Sequence, residues 1–279
     1  MKKLIISLVS KLYGKMLNLY VIFNSKRAAK KAFHIFCKVR KGGVLANQKD
    51  YLDAAKHTTH NILGHSIQTY YWKGNGKTVM LVHGWESNTW RWHRLVQYLR
   101  EADYTIVAFD GPGHGNSSGK YLHIPLYAEV LQSMIKIHSP KFLIGHSYGG
   151  MTILYNEYMF PSPITEKIVT IGSPSEYHEI MSHFQSLLGF NNKVLSALDT
   201  YIQKRFGFSI QEFSTSRYAQ SNEKKGLLFH DRFDKIAPYH ASQRVHSQWK
   251  GSHLRTTEGL GHSMHQDEVN NQIVSFLAS

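Results

Sequence analysis

Apolar side chains recur at helical spacing from the start of the chain. Leu4, Ile5, Leu8, Val9, Leu12, Tyr13, Met16, Leu17 and Tyr20 fall on one stripe, with Lys2, Lys3, Lys11 and Lys15 off it. The pattern predicts an amphipathic basic helix. A second basic helical stretch runs from Ser25 to Lys41 and is expected to stop at Gly42-Gly43, because glycine suits the residue that ends a helix. From residue 66 the period shortens to that of a strand. Segments 66–73 and 77–83 flank Gly74-Asn75-Gly76, which reads as a hairpin turn. Apolar strands then alternate with helical patterns: strand 104–110, helix around 127–137, strand 141–145, helix 147–160, strand 167–171. After an interruption come strand 226–230, helix 239–249, strand 254–258 and helix 267–277. Such alternation predicts an α/β fold, with a mostly parallel central sheet and helices on both faces. In such sheets ligands gather at the carboxyl ends of the strands.

The interruption, about residues 174–223, is too long for a simple loop and carries helical spacing at Ile180, Phe184, Leu187 and Leu188. Its apolar content predicts a helical lid over an apolar substrate cleft, although covering exposed core would account for the same residues. The expected plan is therefore a basic amphipathic helical N-terminal extension over 1–50, a core formed by 51–173 and 224–279, and a helical cap over 174–223. No internal repeat or low-complexity segment interrupts this plan.

Composition changes the picture in three places. With 279 residues, 42% of them hydrophobic, the chain is long enough for one large α/β domain. No run approaches the ~18 apolar residues of a membrane span, so no transmembrane helix is expected. A single cysteine, Cys37, excludes an internal disulfide and a cysteine-rich metal site. A reducing compartment is the economical assumption, and the expected location is cytoplasmic. The net charge of +14 is concentrated at one end: residues 1–50 hold twelve Lys and Arg against Asp50 alone. That charge describes the N-terminal segment and is poor evidence for nucleic-acid binding, for which no signature accompanies it. Three readings compete for the first helix: docking on the protein's own body, peripheral contact with an anionic membrane surface, or a signal peptide. The last is weakest, since Lys11 and Lys15 cut the apolar core and no small-x-small cleavage site follows.

Candidate chemistry centres on Gly145-His146-Ser147-Tyr148-Gly149, a G-x-S-x-G pentapeptide between the strand pattern Lys141–Ile144 and the helical run from Met151. A serine on a sharp strand-to-helix turn needs glycine neighbours that let backbones pass closely, which makes Ser147 a candidate nucleophile. A serine hydroxyl also needs a base to take its proton and an acid to orient that base. In hydrolases of this kind the order along the chain is Ser, then Asp or Glu, then His. Strand 226–230 runs into Asp231-Arg232-Phe233-Asp234, where Asp234 is the candidate acid and Asp231 the close alternative. Strand 254–258 leads to Gly259-Leu260-Gly261-His262, a glycine-bracketed histidine and the candidate base. Strand 79–82 closes on His83-Gly84-Trp85. Backbone N–H groups of Trp85 and Tyr148 are the candidate donors for an oxyanion.

Three tempting motifs fail. Gly76-Lys77-Thr78 resembles the end of a phosphate-binding loop, but the first glycine of that motif falls on Tyr71 and a strand follows. Gly111-Pro112-Gly113 places Asn116 where a dinucleotide fingerprint needs its third glycine. His178 and His183 are one residue too far apart for a zincin helix and face different ways. No cofactor and no metal site is expected, and the histidines outside the candidate site are read as structural or exposed.

With these residues assembled, the chain resembles the α/β-hydrolase superfamily, of the esterase-like kind with a helical cap. The likeness rests on Leu81-Val82-His83-Gly84-Trp85, Phe109–Ser117, Gly145–Gly150, His230–Asp234 with Pro238, and Gly261-His262, and covers roughly residues 66–279. It implies Ser147 as nucleophile, Asp234 as acid, His262 as base, Trp85 and Tyr148 as oxyanion donors, and a structural role for Asp110. The expected reaction is hydrolysis of a carboxylic ester or thioester of an apolar small molecule through an acyl-enzyme. A same-triad acyltransferase, lyase or cofactor-free haloperoxidase is the first alternative, and a non-catalytic binding protein on the same scaffold the second.

Overall fold

The computed structural model describes residues 2–279, with side chains from residue 8 onward, so the stripe positions Leu4 and Ile5 and the charges of Lys2 and Lys3 lie outside the described side chains. The helices are α1 (Lys2–Phe23), α2 (Ser25–Cys37), α3 (Ala46–Asp53), α4 (His93–Glu101), α5 (Ile124–His138), α6 (Tyr148–Met159), α7 (Tyr177–Leu188), α8 (Asn192–Phe206), α9 (Thr215–Tyr218), α10 (His240–Gln248) and α11 (Asp267–Ala278). The strands are β1 (Lys56–Ile62), β2 (His65–Trp72), β3 (Thr78–Val82), β4 (Thr105–Phe109), β5 (Phe142–His146), β6 (Lys167–Ile171), β7 (Lys225–Asp231) and β8 (Ser252–Thr257). The chain divides into two compact units: one holds residues 1–38 and 176–214, the other 39–175 and 215–279.

The smaller unit consists of α1, α2, α7 and α8. Asn24 caps α2 by accepting the Arg27 N–H at 2.9 Å. The small residues Ala28, Ala29 and Ala32 on the buried face of α2 let it approach α8 closely, and Phe33 packs there against Tyr201 and Phe206 at ring separations of 5.4 and 5.7 Å. Cys37 is buried in this unit, and desolvation pushes its thiol far above the usual range. Helix α1 seats Gly14 against α7 so closely that a Cβ there would run into the Leu188 carbonyl. The helical period of the basic N-terminus is thus realised. The second stretch, however, ends at Cys37 and not at Gly42-Gly43. The chain turns extended at Lys38, and the Val39 N–H is taken by the Lys120 carbonyl at 3.0 Å.

The larger unit is built on one eight-stranded sheet in the order β1-β2-β4-β3-β5-β6-β7-β8. Strands β1, β2 and β4 pair antiparallel, and β4 through β8 run parallel. Strands β3, β5, β6 and β7 are buried almost throughout, as expected of parallel strands covered on both faces. Alternate residues Leu81, Ile144, Val169 and Phe229 pack with α4 and α11. The opposite face meets α5 through Phe109 and Tyr127, 5.9 Å apart, and α10 through His230 and Ser242. Among the described residues no helix is long and apolar enough to cross a membrane.

One strand pairing departs from the sequence reading. Segments β2 and β3 do not form a hairpin, because β4 lies between them. Gly74-Asn75-Gly76 instead packs on the β4 approach: the Gly76 N–H donates to the Asp103 carbonyl at 2.7 Å and Asn75 is held by the Asp103 carboxylate. A Cβ on Gly76 would sit 2.8 Å from that carbonyl, so glycine there serves close approach of two backbones. The actual hairpin joins β1 to β2 through Leu63 and Gly64, whose φ of 51° and 76° are the left-handed pair of a tight two-residue turn.

Candidate active site

All four segments singled out from the sequence emerge at carboxyl ends of parallel strands in the larger unit: Gly84-Trp85 after β3, Ser147 after β5, Asp231 to Asp234 at β7, and His262 after β8. Ser147 sits between β5 and α6 with φ 51° and ψ −120°, a left-handed conformation that a serine adopts only when its surroundings over-determine it. Those surroundings are visible. A Cβ on Gly149 would strike the Val82 carbonyl, and one on Gly145 would lie 2.6 Å from the Gly150 nitrogen. Glycine at 145 lets the end of β5 pass close to the start of α6, and glycine at 149 lets α6 pass close to the end of β3. The Ser147 N–H donates to the Ile171 carbonyl at 2.8 Å, and the Ser173 hydroxyl donates to the Ser147 carbonyl at 3.2 Å, so β6 fixes the elbow from the side.

His262 and Asp234 are in direct contact: the His262 Nδ1–H donates to Asp234 Oδ2 at 2.7 Å. The Asp234 side chain is wholly buried, whereas His262 keeps 17% of its surface exposed. Asp234 Oδ1 accepts the N–H groups of Ile236 and Ala237 at 2.8 and 3.1 Å, and His230 Nε2 stands 3.5 Å from Oδ2. Burial alone would push this carboxyl up, but hydrogen bonds from His230, His262 and the backbone outweigh it and hold the group well below the usual carboxylate range. It is a fixed anion beside an imidazole.

Asp231 is turned elsewhere. Its Oδ2 accepts the Leu260 N–H at 2.8 Å and the Thr257 hydroxyl at 2.9 Å, and Oδ1 accepts the Phe233 N–H. It ties the end of β7 to the loop that carries His262. Two further residues hold that loop. His146 donates Nε2–H to the His262 carbonyl at 2.9 Å, and buried Arg91 donates to the Ser263 carbonyl at 3.0 Å. Sequence reasoning gave neither of them a part in the site. His146 lies inside the pentapeptide and could have been suspected, but nothing local marks Arg91 among its tryptophan neighbours.

Trp85 and Tyr148 lie together, with ring centroids 5.5 Å apart. A Cβ on Gly84 would stand 3.1 Å from the Ser147 Cβ, which places the β3 turn directly against the elbow. Tyr148 opens α6, where helix N–H groups present partial positive charge. The turn is held by histidines used as two-ended braces. His83 donates through Nδ1 to the Gly84 carbonyl and accepts the Gly111 N–H at Nε2. His114 donates to the Pro112 carbonyl and accepts the Glu86 N–H. Buried Asp110 accepts the N–H groups of Thr89 and Asn116, which is a structural role. Among the described residues no group of three His, Cys, Asp or Glu stands where it could hold a metal ion.

A brace that accepts at one nitrogen must stay neutral. Burial, the largest cause, lowers His83 from 6.5 to about 4 and His114 to about 3. Unfolding restores their proton affinity, so the unfolded chain binds more protons than the native one below about pH 6.5. Stability is then complete above neutrality and falls as pH drops from 6.5 toward 4. His83 alone is worth on the order of 3 kcal/mol over that window. Urea unfolding followed by tryptophan fluorescence should show a clearly lower midpoint at pH 5 than at pH 7.5. Equal midpoints would contradict the neutral-brace description.

Comparison with known proteins agrees with the fold. A family profile described as serine aminopeptidase, S33, matches residues 74–206, a segment that includes Trp85, Ser147 and Tyr148 and ends before Asp234 and His262. A pimeloyl-[acyl-carrier protein] methyl ester esterase of Vibrio atlanticus (strain LGP32) is 30% identical over 151 residues, covering 52% of this chain and 55% of the relative. The chain spans about half the length of the curated relatives it matches. Among solved structures, Est1E from Butyrivibrio proteoclasticus with bound ferulic acid superposes with a TM-score of 0.65 at 17% identity, over 79% of this chain and 98% of that one. An esterase from Exiguobacterium antarcticum gives 0.64 at 17% identity, over 80% and 100%. Sheet order, elbow and these likenesses together define an α/β-hydrolase fold. Within residues 74–206 the chain resembles the serine aminopeptidase S33 family, and its fold is that of the α/β-hydrolases.

Proposed function

We propose that the protein is a serine esterase that cleaves a carboxylic ester or thioester of a small, apolar molecule. The observation that carries this reading is the 2.7 Å hydrogen bond from His262 Nδ1 to buried Asp234, on a loop that His146, next to Ser147, anchors by its ring. In this mechanism His262 Nε2 takes the Ser147 hydroxyl proton as the oxygen attacks the ester carbonyl. The imidazolium that forms is stabilised by Asp234, and the oxyanion is met by the N–H groups of Trp85 and Tyr148. Collapse expels the alcohol or thiol with the proton from His262. Water, deprotonated by the same histidine, then attacks the acyl-enzyme, releasing the acid and restoring Ser147. The names of the curated relatives, methyl ester esterases and a monoacylglycerol lipase among them, support an ester as the scissile bond.

The test is a panel of p-nitrophenyl esters from acetate to decanoate, together with simple methyl esters. Saturable turnover with an optimum acyl length is expected. An initial burst of p-nitrophenol close to one equivalent should appear wherever deacylation is slow. No turnover on any member would set the proposal aside.

A further inference from the structure

Helix α1 has two apolar faces, and the smaller unit uses only one. Gly14 and Leu17 are buried against the unit. On the other side Leu8, Leu12, Leu19 and Phe23 are 73%, 67%, 58% and 80% exposed. At the helical step these four fall within an arc of about 60° and extend over roughly 22 Å. A side of such size left bare on a soluble protein marks an interaction surface.

Its charged surroundings identify the partner. Lys15 is exposed at one edge of the stripe, and at the other edge Lys31 places its ammonium 4.9 Å from the ring of exposed Tyr20. Residues 1–38 contain nine Lys and Arg and no Asp or Glu. A second copy of this chain would bring like charge to the stripe and is disfavoured. A protein groove would read separate anchor positions, whereas this surface is a flat apolar strip edged by cations. Such a strip matches the boundary between acidic headgroups and acyl chains. We propose that the smaller unit docks on the surface of an anionic phospholipid bilayer, with α1 lying in the interface and its exposed stripe turned toward the acyl layer.

The experiment is co-sedimentation of the full chain with vesicles of phosphatidylcholine alone and of phosphatidylcholine mixed with phosphatidylglycerol, at low and high salt. The parent is expected to sediment with the mixed vesicles, less at high salt, and to stay in solution with the neutral ones. A Leu12→Glu, Leu19→Glu double variant should bind at least roughly tenfold more weakly, since each leucine loses its burial. It should keep its helical circular dichroism and its hydrolysis of a soluble ester, because both side chains are exposed. Parent protein that remains in the supernatant with anionic vesicles at low salt would overturn the proposal. So would a double variant that binds like the parent, or equal binding to neutral vesicles.

Discussion

Ser147→Ala is expected to lower kcat by roughly a millionfold on any ester the parent hydrolyses, with KM little changed. The substitution removes one oxygen from the sharpest point of the backbone and leaves its surroundings in place. The elbow is maintained by Gly145 and Gly149, by the Ser147 N–H on the Ile171 carbonyl, and by Ser173 on the Ser147 carbonyl. None of these uses the serine hydroxyl. Binding should survive while covalent chemistry disappears, and the residual rate should be that of a preorganised donor pair acting on water attack. Steady-state kinetics with matched circular dichroism would check this. A loss below about a hundredfold would mean that another group performs the displacement.

Asp234→Asn should cost on the order of 10⁴ in kcat at neutral pH while the protein stays folded. The geometry explains the size. Oδ1 is held by two backbone N–H donors, from Ile236 and Ala237, and an amide at this site must keep its oxygen there. The NH₂ group then occupies the Oδ2 position and donates toward His262 Nδ1, where the carboxylate accepted. The imidazole is driven into the other tautomer, with its proton on Nε2, and can no longer accept one from Ser147. The charge that would stabilise the imidazolium is lost as well. Asp231→Asn makes the contrasting control. It weakens the acceptor for Leu260 and Thr257 and should lower the unfolding midpoint more than the turnover number. If Asp231→Asn proved the more damaging to kcat, the two carboxylates would have to exchange roles.

The parts of the fold written in local pattern were legible in the sequence. Strands β5, β6 and β7 are short apolar runs, and the helices following them repeat at the helical period, so a parallel sheet could be read directly. Strand β1 could not be. Its residues, Lys56 to Ile62, are polar up to the last position and exposed apart from half-buried His60 and buried Ile62, as befits an edge strand with one neighbour, and they show no apolar alternation. The supposed hairpin at Gly74-Asn75-Gly76 failed for a different reason. Turn-like composition is a local property, whereas the insertion of β4 between β2 and β3 is set by pairing over a long stretch of chain. Near the candidate site the pattern was the same. Ser147 and His262 carry glycine signatures because their backbones bend sharply, and Asp234 follows a recognisable strand end. Arg91 acts through a backbone carbonyl of a distant loop, a contact that leaves no trace in neighbouring residues, whereas His146 was marked only by its place inside the pentapeptide.

The most direct test of the central claim is covalent capture. A fluorophosphonate mimics the tetrahedral adduct and reacts only with a serine whose proton has been taken. The account predicts one equivalent of label on the parent, mapped by peptide mass spectrometry to Ser147, with labelling slowed by several orders of magnitude in His262→Ala and Asp234→Asn. Label on another residue, or labelling of these variants at the parent rate, would contradict it.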